Sequence, residues 1–536
     1  MRSLSPHAAL LFVLLAALLL RCTGLSELAL WYDEEAYTLA YARGTWADLL
    51  AERTDHPPGY PLLAKLVFGA ISEPWALRLP AVLGGLLGIA AAYACVLQLA
   101  GKRSALLAAG LLGASVFHVY YSQEARPYTW LSAAVGWSLF FALRLSRSGR
   151  ARDALWLVGC SLAAVTSHYF AAPSVGALLV LAFGLGLARA EARERRRLLG
   201  MALGGVLAIA AFALSQSGRW EVLSSLYTSE ATTRVAPSPR FLGSVAGRFL
   251  GFGAALGLPV LAVCAVGLVA TARLRPRAAL LVLAAAGAPI LMIWVLPWGR
   301  FIDARYLQGA LVPLAGLFAL GAAALARPLA ARLPDRPALR LPLALLGAAA
   351  CLAWPAVATA RYLSAPAKQY PTHRTSPFGY SHIVFNSRLD PWALRARGTT
   401  DFELRVGVFA GVHCGVPDGW EIISQSASPD GRVQAVKFAE QPRSSDLFTV
   451  GLSGLDMDPL TLIETSDLWR LEPRAAIGDV RAFEFVNAVT GESIGRHVLR
   501  GDCPALERRI VVDLWSVRPA MAQRMLTEVA RSLRCP

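Results

Sequence analysis

Charge is scarce in this chain. Only 16% of its 536 residues are Asp, Glu, Lys or Arg, while 55% are apolar. A soluble chain of this size does not carry that balance. The apolar residues fall in runs of roughly 18–25, the length that crosses a bilayer. Paired metal-type motifs are also missing: the eight cysteines show no CxxC and no His/Cys ligand spacing. No internal repeat of the transporter kind is present. The first apolar run, Ala8 to Leu20, is not followed by a small-x-small cleavage site, so it is expected to stay as a first span.

A net charge of +16 would suit a nucleic-acid binder, but its placement excludes that. The basic residues bunch at Lys102-Arg103, at Arg144, Arg147, Arg150 and Arg152, at Arg189 through Arg197, at Arg273, Arg275 and Arg277, and at Arg327 through Arg340. Most loop acids lie in the connections between these bunches, which is the positive-inside pattern of a multi-pass membrane protein. With each bunch in the cytoplasm, the expected spans are 8–25, 76–99, 104–121, 128–144, 154–170, 173–188, 198–215, 246–270, 278–296, 307–325 and 341–359. These eleven put the N-terminus inside and everything after Arg361 outside. Tyr60 to Ile71 is apolar but short, carries Lys65 and lies near prolines, so it is expected to lie in the interface.

The organisation follows. Residues 1–360 form a transmembrane domain whose first outer loop, 26–75, carries interfacial helices; 361–400 are a linker or membrane-covering loop; 401–536 form a small extracytoplasmic α+β domain. Alternating runs at Arg405–Ala410, Val433–Ala439, Ala482–Val486 and Ile510–Leu514 predict strands, and 518–533 a closing amphipathic helix. Cys95, Cys160, Cys264 and Cys351 lie in spans and are expected to pack as small hydrophobes. Cys414, Cys503 and Cys535 lie on the oxidising side, with Cys503–Cys535 the pairing favoured over either alternative.

Five polar patches fall on the outer face: Asp33-Glu34-Glu35, Asp55-His56, the turn from Ser122 through Glu124 and Arg126 to Tyr128, Ser167-His168-Tyr169, and the stretch with Arg300, Arg305 and Tyr306. Ionisable groups pressed against a bilayer are costly and are kept for function. A carboxylate there serves as a general base, because partial desolvation brings its pKa toward a useful value. Nearby arginines clamp a phosphate and stabilise it as it departs. Histidine binds substrate, shuttles a proton or ligates a metal. The set suits transfer of a group from a lipid phosphate to a hydroxyl or amine.

The ordered pieces WYDEEAYTLAYARG, DHPPGYPLLAKL, ALRLPAVL, HVYYSQEARPYTW, SHYF and RYL resemble the bacterial glycosyltransferases related to protein O-mannosyltransferases. These are family 39 of the GT-C superfamily, and the likeness covers residues 8 to 325. It implies a GT-C-type helical membrane fold and an inverting transfer of a hexosyl or pentosyl group from a polyprenyl-phosphate-linked sugar. The acceptor would be a glycan, lipid or protein at the outer face of the inner membrane. By position Asp33 is similar to the catalytic aspartate, with Glu34 completing the pair; Glu35 leaves open a shifted register, Glu34-Glu35-Ala36-Tyr37. His56 matches the HPP element, and Arg126 and Arg305 match arginines of later outer loops. A divalent metal on Glu124, His56 and His168 stays open, since their spacing is not diagnostic.

Each residue also has a structural reading. Asp33 and Glu34 could cap a helix, His56 brace its loop, Glu124 pair with Arg126, His168 close a span, and Arg305 anchor at the interface. Trp31, Tyr120, Tyr121, Trp130 and Trp298 read as the aromatic belt. A transporter or flippase of lipid-linked saccharides is the alternative function, and a non-catalytic scaffold a third. A transporter would place its ionisable residues at mid-membrane on broken helices; here they gather at one face.

Overall fold

The computed structural model describes residues 6–25, 34–43, 46, 57–71, 73–215, 238–295, 304–331, 337–364, 373–375, 381–383, 404–409, 412–417, 421–427, 434–439, 447–454, 469–487, 493–515 and 519–534. The chain divides into two units: residues 1–25 with 45–365, and residues 26–44 with 366–536.

The first unit is helical, because its apolar runs are rich in Ala and Leu, which lose little on entering a helix. Its helices are α1 (Pro6–Cys22), α2 (Gly59–Ala70), α3 (Leu79–Ala100), α4 (Lys102–Ala114), α5 (Val116–Ser122), α6 (Tyr128–Ser148), α7 (Ala151–Ser167), α8 (Ala172–Leu187), α9 (Ala192–Ser215), α10 (Pro239–Phe249), α11 (Gly257–Leu274), α12 (Pro276–Val295), α13 (Leu311–Ala331) and α14 (Pro337–Ser364). All eleven expected spans overlap helical residues. Among the described residues, however, only five stretches are long and apolar enough to cross a membrane: Trp75–Ala100, Tyr169–Leu187, Ala192–Ser215, Gly257–Leu274 and Arg305–Pro328. A sixth is the α4–α5 pair, bent by 60°. The chain is thus a multi-pass membrane protein, and eleven stays an expectation. Residues 246–270 are not one span: α10 ends at Phe249 and α11 begins at Gly257, with Gly251 and Gly253 at positive φ between them. The helix expected at Tyr60–Ile71 is present as α2, with Tyr60 buried and its hydroxyl donating to Leu77 O at 3.0 Å.

Packing relies on small residues. Gly267 and Gly321 let α11 and α13 approach backbone to backbone: a Cβ on either would collide with the other helix's carbonyls, Leu317 O or Val263 O. Close approach through small residues is how helices associate where no hydrophobic force separates lipid from protein.

The bend between α4 and α5 is the feature hydropathy did not reveal. At Ser115 the backbone turns extended (φ −66, ψ 118) before α5 starts. A helix broken at membrane depth leaves its last carbonyls without donors, and here side chains from other helices supply them. Arg21 of α1 donates to Leu112 O at 3.2 Å and Gly113 O at 3.3 Å, and Thr359 of α14 donates to Ala114 O at 2.6 Å. Arg21 also reaches Ser122 Oγ at 3.1 Å and meets His118 Nδ1 at 2.9 Å. In return Gln123, just past α5, caps the end of α1 by donating to Arg21 O at 3.1 Å and Thr23 O at 2.8 Å. Gly85 of α3 makes the room, since a Cβ there would strike Ser122 Oγ and come within 2.9 Å of Arg21 Nε.

In the second unit, a π-helical turn, Glu34–Leu39, runs into the short helix Ala40–Arg43. Strands β1 (His373–Thr375) and β2 (Ser381–Ile383) pair, as do β3 (Leu404–Phe409) and β4 (Val412–Pro417). The main antiparallel sheet has β5 (Glu421–Ala427), β6 (Gln434–Ala439), β7 (Leu447–Gly454), β8 (Trp469–Ile477), β9 (Val480–Asn487), β10 (Ser493–Cys503) and β11 (Arg508–Trp515) in the order β5-β6-β7-β11-β10-β9-β8. The described residues of all four alternating runs lie in strands. Helix α15 (Pro519–Ser532) buries Met525, Leu526 and Val529 against Leu499, Val512 and Leu514 of the sheet. Cys503 is disulfide-bonded, while Cys414 keeps its thiol, pushed up to about 12 by burial. Five other cysteines are also thiols, which leaves Cys535, outside the described residues, as the remaining cysteine.

Candidate active site

Three connections of the first unit build the site. The α5–α6 turn carries Gln123, Glu124 and Arg126, and Pro127, with φ −73, sets the chain for Tyr128 to open α6. Gln123 serves the fold, as described above. Glu124 is fully buried and Arg126 almost so. The α7–α8 connection carries His168 in extended backbone (φ −159, ψ 131) after the last turn of α7. Its Nδ1 accepts from Phe170 N at 3.2 Å, so the neutral ring carries its proton on Nε2. The third element is a 3₁₀ segment, Ala304–Ala310, leading into α13.

These pieces meet on Tyr128, which is buried. Its ring lies 5.7 Å from that of His168 and 6.4 Å from that of Tyr306. His168 and Tyr306 are 6.0 Å apart, and Tyr306 stacks on Phe170 at 5.0 Å with planes 18° apart. Two guanidinium groups approach the Tyr128 ring, Arg126 at 6.0 Å and Arg305 at 5.9 Å. Arg305 also donates to Tyr306 Oη at 3.2 Å and lies 5.1 Å from its ring. An aromatic face attracts a cation, yet two cations on one ring repel each other. A guanidinium fork donates paired hydrogen bonds to a carboxylate or a phosphate.

The structure thus brings together five expected site residues: Arg126, Tyr128, His168, Arg305 and Tyr306. Asp33, Asp55, His56 and Arg300 lie outside the described residues. Glu34 opens the π-helical turn of the second unit and is fully buried. Among the described residues, no three of His, Cys, Asp and Glu stand close enough to hold a metal ion; Glu124 and His168 form no such group there. The aromatic-belt reading of Tyr120 and Tyr121 is corrected. Both are fully buried and pack edge-on to each other at 5.0 Å, Tyr120 also against Tyr362 and Tyr121 against Phe117. Trp130 donates its ring N–H to Pro80 O at 2.7 Å; Trp31 and Trp298 lie outside the described residues.

Residues 55–215 match the family model described as dolichyl-phosphate-mannose-protein mannosyltransferase. Among solved structures, ArnT from Cupriavidus metallidurans in the apo state is 19% identical, over 66% of this chain and 70% of that one, with a TM-score of 0.45. ArnT from the same organism bound to undecaprenyl phosphate is 18% identical over the same shares, also with a TM-score of 0.45. No curated protein sequence matches the chain. The likeness carried by the motifs is borne out over that segment: residues 55–215 are similar to the protein mannosyltransferases of that family model. The matched segment holds Asp55, His56, Glu124, Arg126, Tyr128 and His168, but neither Asp33 nor Arg305.

Proposed function

We propose that this chain is an integral-membrane inverting glycosyltransferase, moving a sugar from a polyprenyl-phosphate-linked donor to an acceptor at the outer face of the membrane. One observation carries the reading: two arginines from separate connections converge on one buried tyrosine at the ends of apolar helices. The acceptor hydroxyl attacks the anomeric carbon opposite the phosphate while Asp33 takes its proton. The bond from that carbon to the phosphate oxygen breaks with inversion. Arg126 and Arg305 take up the negative charge left on the lipid phosphate. Asp55, His56, Glu124, Arg300 and His168 complete the substrate shell.

The α4–α5 break raises the transporter alternative, because broken helices line transport sites. Here, though, the carbonyls of Leu112, Gly113 and Ala114 are taken by protein donors. That is a structural bend, and it weighs against a coupling-ion site.

The phosphate clamp has a direct assay. Lysine keeps the charge of arginine but loses the bidentate fork. Arg126→Lys and Arg305→Lys should each weaken binding of an intact polyprenyl-phosphate sugar by on the order of tenfold, the scale of one charged hydrogen bond. Unchanged affinity in both variants would return these arginines to anchoring.

The orientation is tested with fusions. A reporter after Arg361 should be active only outside the cytoplasm, and one near Arg195 only inside. A cytoplasmic signal from the first would remove the single-face arrangement, and the reaction with it.

A further inference from the structure

Gln308 is fully buried, and neither atom of its carboxamide, Nε2 or Oε1, has a hydrogen-bond partner among the described residues. Burying an amide in that way is unfavourable, because the water it leaves is not replaced. Such a group is met by a bound water or by a ligand.

Gln308 sits in the 3₁₀ segment Ala304–Ala310, where residues three apart share a ridge. One ridge carries Tyr306 and Gly309. Tyr306 stacks on Phe170, and the Cβ position of Gly309 lies 3.4 Å from Ser174 Oγ, one turn further along the same wall. That fixes the register. The neighbouring ridge carries Arg305 and Gln308, and its first member reaches toward the Tyr128 ring. The backbone of Gln308 therefore lies one 3₁₀ turn, about 6 Å along the axis, beyond that of Arg305. Gly309, next to it, approaches Val135 of α6, so this part of the segment packs alongside the helix that Tyr128 opens.

We infer that Gln308 selects the sugar of the donor by hydrogen-bonding its ring hydroxyls. The chemistry of the amide chooses this ligand. Phosphate oxygens only accept and would leave Oε1 unmet, whereas a hydroxyl both donates and accepts and satisfies both ends of the group. A neutral amide one turn beyond a phosphate-binding arginine is placed for the sugar that the phosphate carries. This rests on the glycosyltransferase reading above and adds a specificity determinant to it.

The test pairs stability with kinetics in the purified full chain, using Gln308→Leu, which keeps volume and removes both polar atoms. Without donor, the variant should melt at or above the wild-type temperature, because an unmet buried amide has been removed. With donor, its KM should rise about tenfold with a smaller change in kcat. Wild type should prefer the parent donor over one monodeoxy-sugar donor by tenfold or more, since a polar site rejects the analogue that leaves it unpaired. Gln308→Leu should lose that preference. A variant that melts lower with unchanged donor KM has lost a structural residue, and the inference falls. Full discrimination at every deoxy position would overturn it equally. Wild type inert toward every polyprenyl-phosphate sugar is a different result, and it removes the proposed reaction together with this role.

Discussion

Asp33→Asn is expected to lower sugar transfer by on the order of 10²-fold or more, the usual loss when a general base is removed. The substitution keeps size and hydrogen-bonding capacity but cannot take the proton. Donor binding should persist, so the loss should appear in kcat. Glu34→Gln is the companion variant, because Glu35 allows the acidic pair to be read one residue later. If Asp33→Asn is fully active and Glu34→Gln is dead, the base sits in the shifted register. If both transfer sugar at the wild-type rate, the first outer loop holds no base and the proposed reaction is wrong. Steady-state transfer from a polyprenyl-phosphate sugar, with binding measured separately, distinguishes these results.

Arg21→Met should destabilise the first unit by roughly 2–4 kcal/mol. Hydrogen bonds between helices within membranes average only about 0.6 kcal/mol each, so the bonds to Leu112 O, Gly113 O, Ser122 Oγ and His118 Nδ1 would account for the lower end of that range. The remainder comes from the carbonyls left orphaned at the break, because water is not at hand to replace the donor. Arg21→Lys should recover little, since one ammonium group does not reach all four partners at once. Transfer should fall as well, because Ser122 begins the turn that delivers Arg126. Thermal unfolding in detergent or nanodiscs measures the effect. An Arg21→Met chain that melts with wild type would show that the bend holds without its cap.

Much of this was legible in the sequence, for physical reasons. Long apolar runs become helices in a bilayer because lipid satisfies no backbone polar group, and two of the alternating runs, Ala482–Val486 and Ile510–Leu514, lie in strands that put Ala482, Ile510, Val512 and Leu514 into the domain core. Arg126, Tyr128, His168, Arg305 and Tyr306 could be singled out because polar residues between spans are few. The bend at Ser115 could not. Residues 104–121 read as one span, and hydropathy averaged along the chain is blind to a 60° change of direction. The role of Arg21 was hidden for the same reason: at the end of a first span it looks like an interfacial charge, and its partners lie far away in sequence. Tyr120 and Tyr121 misled in the opposite sense, since aromatic residues near a span end suit the headgroup belt as well as they suit a packed interior. Gln308 gave no signal, because a glutamine is informative only once its burial is known.

The reciprocal capping of α1 and α5 has a consequence for how the protein is made. Arg21 lies 91 residues before Leu112 and 101 before Ser122, so α1 leaves the ribosome and enters the bilayer well before its partners exist. During that interval the guanidinium is a cost to insertion, kept low by its place in the last turn, where it can reach the headgroups. The bend, in turn, has no cap until α1 is already in place beside it. Order of synthesis and order of assembly therefore coincide: the earliest helix waits in the membrane as the template on which a later one is broken.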